Sequence, residues 1–264
     1  MALVEMEFES KALKRMVSFR AILPYERFLP PYPTVYLLHG LGGNSSRWLH
    51  YTNLRYLAET MGIAVVLPSG ENSFYLDILV KDGCLGDFGD YVGRELVEVT
   101  RQLLPLSSKR EDTLISGMSM GGYGALRNGL KYADTFGKIA VFAGAVHFYE
   151  NSREWVKTRG NVAGELANFG DLDETELTDR NPRTLIREIK ERNEKDGINH
   201  FPEVYITCGE EDALLSANHQ LADALKEAGA NITFQPKPGY HDFAFCNDNL
   251  PDVLQWLDPK SQNR

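Results

Sequence analysis

The sequence predicts an α/β fold built on a mostly parallel, doubly wound sheet, and three observations carry that prediction. Apolar, β-branched runs alternate with amphipathic stretches of helical length along most of the chain. The nonapeptide Ser116-Gly117-Met118-Ser119-Met120-Gly121-Gly122-Tyr123-Gly124 follows one such run and opens a helical stretch. Finally Ser119, Asp212 and His241 each fall just after a predicted strand, where the loops of such a sheet converge.

Residues 3–8 and 16–23 have strand character and are joined by Glu9-Ser10-Lys11-Ala12, so the chain opens with an antiparallel hairpin at a sheet edge. After Pro30-Pro31-Tyr32-Pro33, residues 34–38 are β-branched and apolar throughout, as befits a strand covered on both faces. Residues 45–61 carry Trp48, Tyr51, Leu54, Leu57 and Ala58 at helical spacing, and Gly62 ends that helix before a strand over 63–67. A second amphipathic helix over 88–104 leads to the apolar run 112–115 and the nonapeptide. The helix after the nonapeptide gives way to a strand over 138–143. Residues 151–197 then turn polar and charged, which reads as a small insertion over the sheet edge, with one helix from Asn181-Pro182 to Arg192. A strand over 203–208 ends in Gly209-Glu210-Glu211-Asp212. The helix 213–228, the strand 231–235 and the loop Pro238-Gly239-Tyr240-His241-Asp242-Phe243 complete the alternation.

With no composition shift to mark a linker, the 264 residues read as one domain, 1–264. Hydrophobic residues at 43% and charged residues at 25% are ordinary for a globular protein that buries a sizeable core. The formal net charge of −9 argues against a nucleic-acid partner, which needs clustered Lys and Arg. No run has the length of a membrane span, and residues 1–7 lack the basic start of a signal peptide, so a cytoplasmic protein is expected. Cys84, Cys208 and Cys246 form no C-x-x-C pair and read as free thiols in a reducing compartment. The six histidines form neither H-x-x-x-H nor H-E-x-x-H, so neither a metal nor another cofactor is expected.

Gly117-Met118-Ser119-Met120-Gly121 is a G-x-S-x-G pentapeptide in the strand-turn-helix context that gives the motif its meaning. The serine stands at the tip of a hard turn, and the glycines on either side let strand and helix approach closely. A serine hydroxyl is a poor nucleophile, so it needs a base to take its proton and a carboxylate to orient that base. The chain order Ser119, Asp212, His241 is the order of an α/β-hydrolase. Glu210, Glu211 and Asp242 are neighbouring acids; Asp212 is preferred, with Glu210 and Glu211 as solvated or capping charges. An acyl-transfer site also needs two backbone N–H groups aimed at one point. The glycine-rich turn His39-Gly40-Leu41-Gly42-Gly43-Asn44 offers Leu41, and Met120 follows the serine. His39 reads as a structural hydrogen-bonding group. Trp48, Phe88, His147 and Phe148, together with Tyr75 and Tyr149, are candidates to line a substrate pocket.

The segments Tyr36-Leu37-Leu38-His39-Gly40-Leu41-Gly42-Gly43-Asn44, 116–124, Cys208-Gly209-Glu210-Glu211-Asp212 and Gly239-Tyr240-His241 together resemble the esterase D group of α/β-hydrolases. Within that group the chain looks most like the bacterial tributyrin esterases, beside S-formylglutathione hydrolases and feruloyl or acetyl-xylan esterases. The resemblance spans nearly the whole chain. It implies a short-chain carboxylesterase with Ser119, Asp212 and His241 as triad and Leu41 and Met120 as oxyanion donors, acting on a small-molecule ester and leaving room for a homo-oligomer. Gly43-Asn44 stands where glutathione-thioester members often carry a cysteine, which lowers the thioester alternative. An acyltransferase on the same fold and a non-catalytic binding module are the remaining alternatives.

Overall fold

A computed structural model describes residues 1–78, 86–146 and 177–257. Ten strands are present among these residues: β1 (Ala2–Ser10), β2 (Arg15–Leu23), β3 (Thr34–Leu38), β4 (Ala64–Pro68), β5 (Asp77–Ile78), β6 (Gly86–Asp87), β7 (Thr113–Met118), β8 (Lys138–Phe142), β9 (Glu203–Gly209) and β10 (Ile232–Lys237). Eight of them form one sheet in the order β1-β2-β4-β3-β7-β8-β9-β10, while β5 and β6 pair as a separate short ribbon. The hairpin β1–β2 is antiparallel and joins β4 antiparallel; every other neighbour in the large sheet is parallel.

The parallel strands β3, β4, β7 and β8 are buried at every residue, which explains their unbroken apolar runs. Alternate side chains feed two cores. On one face Tyr36, Ile115 and Ile139 meet residues of α4 (Leu96–Leu103), α5 (Met120–Lys131), α6 (Pro182–Asp196) and α7 (Leu215–Glu227). On the other, Val35, Leu114 and Ala140 meet α1 (Arg47–Tyr51), α2 (Leu54–Met61) and α8 (Phe243–Leu257). Each fully buried Leu, Val or Phe in these layers contributes about 1.5–3 kcal/mol relative to exposure.

Two expected helices are subdivided. The helix expected over 45–61 breaks at Thr52, whose backbone is extended; its hydroxyl donates to Trp48 O at 2.6 Å and accepts the Leu54 N–H at 3.3 Å, replacing helical bonds. The helix expected over 88–104 runs as α3 (Phe88–Asp90), a π turn over Tyr91–Glu95 and then α4. The expected helix after Asn181 extends to Asp196, its start fixed by Pro182 and by the Asn181 side chain accepting the Arg183 N–H.

Candidate active site

The strand β7 delivers Ser119 at its carboxyl end with φ 57° and ψ −116°, a conformation that side-chain-bearing residues rarely adopt. The surroundings hold it there. Its amide donates to Phe142 O on β8 at 2.9 Å, and its carbonyl accepts from Tyr123 in α5 and Ala145 beyond β8, both at 3.0 Å. The turn closes only because its flanks lack side chains: a Cβ at Gly117 would stand 2.4 Å from Gly121 O, and one at Gly121 would stand 2.5 Å from Leu38 O.

The loops after β9 and β10 meet above the same edge. A Cβ on Gly209 would lie 2.1 Å from Gly239 O, so the two loops are in backbone contact. Glu211 strengthens that contact, since its carboxylate accepts the Gly239 N–H at 2.6 Å and its own amide donates to Gly239 O at 3.1 Å. The contact brings His241 beside Asp212. The His241 Nδ1 lies 2.7 Å from Asp212 Oδ2, and its Nε2 lies 2.9 Å from Ser119 Oγ.

Asp212 has a nearly inaccessible side chain. Burial pushes its carboxyl pKa up, but hydrogen bonds from His241, the Leu214 N–H and the Cys208 thiol outweigh burial and hold it below the usual carboxylate value. An ionised carboxylate only accepts, so His241 carries its hydrogen on Nδ1 and presents Nε2 as an acceptor to the serine hydroxyl. Such a relay can draw the hydroxyl proton onto the imidazole as the oxygen attacks an electrophile. Asp242 instead caps α8: it accepts the Phe245 N–H at 2.8 Å.

The amides of Leu41 and Met120 have no hydrogen-bond partner among the described residues. Met120 begins α5, whose first N–H groups lack intrahelical acceptors and lie at the positive end of the dipole. The loop carrying Leu41 is held by His39, which is almost inaccessible. Its Nε2 accepts the Gly70 N–H at 2.8 Å, so Nδ1 is the protonated nitrogen and donates to Gly40 O at 2.8 Å. Burial lowers its pKa and keeps it neutral.

Ser119, His241, Leu41, Arg47 and Tyr51 line a cleft of about 660 Å³. Three expected pocket residues are elsewhere. Trp48 is 1% exposed, packs its ring on Phe142 and Phe243 and donates to Leu38 O at 3.0 Å, so it stands behind the cleft wall. Phe88 is fully buried in the opposite core against Tyr91. Tyr75 is likewise buried, and its hydroxyl donates to His39 O at 3.0 Å. His147, Phe148 and Tyr149 lie outside the described residues. The cleft-lining Arg47, Tyr51 and Phe243 were not expected. Tyr51 shares the helical spacing of Trp48 in the sequence, yet it is exposed at the end of α1 while Trp48 is buried.

The sequence profile of the Esterase family matches residues 10–244. The chain belongs to that family. It is 35% identical to an acetyl esterase of Caldicellulosiruptor saccharolyticus over 97% of this chain and 98% of the relative. Two solved structures from Staphylococcus aureus superimpose with a TM-score of 0.82 at 25% identity, covering 97% of this chain and 98% of theirs. One is an S-formylglutathione hydrolase apoenzyme, the other a substrate-bound fluorophosphonate-binding serine hydrolase. The esterase is therefore a carboxylic ester hydrolase of the serine class, on an α/β-hydrolase fold. No helix among its described residues is long and apolar enough to cross a membrane.

Proposed function

We propose that Ser119 is the nucleophile, His241 the general base and Asp212 the orienting carboxylate of a carboxylesterase for short acyl groups. The hydrogen-bonded chain from Ser119 Oγ through His241 to Asp212, at 2.9 and 2.7 Å, carries this reading. The Ser119 oxygen attacks the ester carbonyl while its proton passes to His241 Nε2. The oxyanion accepts from the Leu41 and Met120 amides. His241 then returns the proton to the departing alcohol, leaving an acyl-serine that water, activated by the same histidine, hydrolyses.

The acyl length follows from the cleft and from the acetyl esterase likeness. Met118 lines the cleft and packs in one core layer with Trp48 and Phe142, each almost wholly buried, and we take that packed layer as the wall that limits the acyl chain to a few carbons. A methylene gains about 0.8 kcal/mol only where it leaves water, so the gain stops at that wall. Nitrophenyl esters from acetyl to palmitoyl test this: kcat/KM is expected to peak between acetyl and butyryl and to have fallen by octanoyl. A maximum at palmitoyl overturns the short-chain reading. Ser119→Ala is expected to abolish turnover and fluorophosphonate labelling in a folded protein; near-normal turnover overturns the nucleophile assignment.

A thioester leaving group is the second reading, favoured by the likeness to the S-formylglutathione hydrolase. Matched oxygen and sulfur esters of one acyl group separate the two by their kcat/KM ratio.

A further inference from the structure

Arg47 opens α1 and lines the same cleft as Ser119 and His241. Its guanidinium carbon lies 4.4 Å from the Tyr51 ring centroid and 5.2 Å from that of Phe243, both rings of the cleft wall. Among the described residues its side chain makes no ion pair and no hydrogen bond. That is unusual company for a cation in a chain with 37 acidic residues against 28 basic ones. Contact with two aromatic faces orients the guanidinium and partly shields it while leaving its in-plane N–H donors unused. Five donors in a fixed fork match the two oxygens of a carboxylate.

The other charged groups facing this space do not cancel it. Asp242 lines the cleft on the His241 side, but its carboxylate is held at the start of α8 by the Phe245 N–H and lies beyond ion-pair distance of Arg47. Arg20 on β2 is committed to Glu5 and Ser45.

We infer that Arg47 is a specificity-determining residue that binds a carboxylate carried by the ester substrate, so that the preferred substrates are anionic esters. The inference rests on Ser119 being the nucleophile, since it is the cleft shared with that serine that makes Arg47 a substrate contact. A charge-assisted hydrogen bond discriminates by about tenfold or more. The carboxylate sits on either the acyl or the alcohol part, and both place an anion in the same cleft.

The test compares kcat/KM for two matched pairs in the wild type, Arg47→Gln and Arg47→Lys. One pair carries the charge on the acyl side, 4-nitrophenyl hydrogen succinate against its methyl ester. The other carries it on the alcohol side, 4-acetoxyphenylacetate against its methyl ester. The readout is the anionic-to-neutral ratio, in which intrinsic reactivity cancels between variants. Arg47→Gln is expected to lower that ratio about tenfold or more for one pair, mainly through KM, with Arg47→Lys keeping part of it and salt eroding it in the wild type. The pair that responds identifies the side bearing the carboxylate. A ratio that Arg47→Gln leaves unchanged for both pairs overturns the inference, because loss of packing alone lowers both members alike. Fluorophosphonate labelling of Ser119 in each variant keeps the two readings apart: a labelled enzyme with an unchanged ratio sinks only the role of Arg47, whereas an unlabelled wild type sinks the nucleophile.

Discussion

At the scale of single residues, the chemistry depends on which of several adjacent acids meets the histidine. Glu211 spends its carboxylate on the Gly239 amide and Asp242 on the Phe245 amide, so Asp212 alone of these is left to orient His241. Asp212→Asn is expected to lower kcat on the order of 10³- to 10⁴-fold, since an amide can hold the wrong imidazole tautomer. Asp242→Asn keeps a capping side chain and is expected to cost less than about tenfold. Comparable losses in steady-state assays of the two variants would move the acid to Asp242. The serine itself offers a second check. Its positive φ stores strain of roughly 1–3 kcal/mol, which glycine relieves at an entropic cost of about 0.5–1 kcal/mol. Ser119→Gly is therefore expected to be about 1 kcal/mol more stable to urea than Ser119→Ala, with both inactive. An equal or lower midpoint for the glycine variant would remove the strain argument. That Ser119, Asp212 and His241 come together was legible in the sequence, because motif and chain order constrain them jointly. Trp48 and Phe88 were not, since helical spacing of aromatics reads the same whether a ring faces a core or a cleft, and only the packed sheet decides.

At the scale of elements, the apolar runs located the parallel strands to within three residues at either end, because burial on both faces leaves few polar positions, such as Thr34, Thr113, Ser116 and Lys138, to blur them. Reading stopped short at α8, where Asn247-Asp248-Asn249 and Pro251 look like breakers. The helix persists because Phe245, Leu250, Val253 and Leu254 bury against the sheet, a tertiary gain that outweighs local propensity. The β5–β6 ribbon, two residues a side, was too short for any periodicity to reveal. Between elements the decisive feature is the contact of Gly209 with Gly239, which sets the reach from Asp212 to His241. Gly209→Ala places a methyl group 2.1 Å from a carbonyl oxygen, so the histidine loop has to shift. A displacement of about 1 Å is enough to cost about 100-fold in rate. That variant is expected to lose at least this factor in kcat/KM with a lowered Tm; wild-type kinetics would show that the loop contact does not position His241.

At the scale of the whole molecule, a cluster of charges ties distant parts of the chain to α5. Arg127 is 1% exposed and reaches Asp77 at 3.2 Å and Asp179 at 2.6 Å, and Lys131 reaches the same two acids at 3.0 and 2.7 Å. Two bases and two acids thus join the β5 strand, α5 and the turn ahead of α6. The Arg127 side chain is costly to bury, but Asp179 and Asp77 more than offset this and raise its pKa. For Asp77 burial acts to raise the pKa, and Arg127, the Asp90 amide and Lys131 together prevail and lower it. A carboxyl whose folded pKa is depressed adds stability above its unfolded value of about 3.9, and that stability is lost as pH falls through the lower folded value. Asp77→Asn is therefore expected to be less stable than the wild type at pH 7, with the difference shrinking below about pH 4. Arg127→Met, which leaves Asp77 and Asp179 to Lys131 and removes a buried cation's bonds to both, is expected to lose stability at pH 7 as well, and to recover part of it on acidification as those acids protonate. Urea unfolding of the three proteins from pH 7 to pH 3 measures both slopes. A gap between wild type and Asp77→Asn that stays constant across that range would mean that the carboxylate contributes through packing alone, and that the charges at this junction do not hold the three segments together.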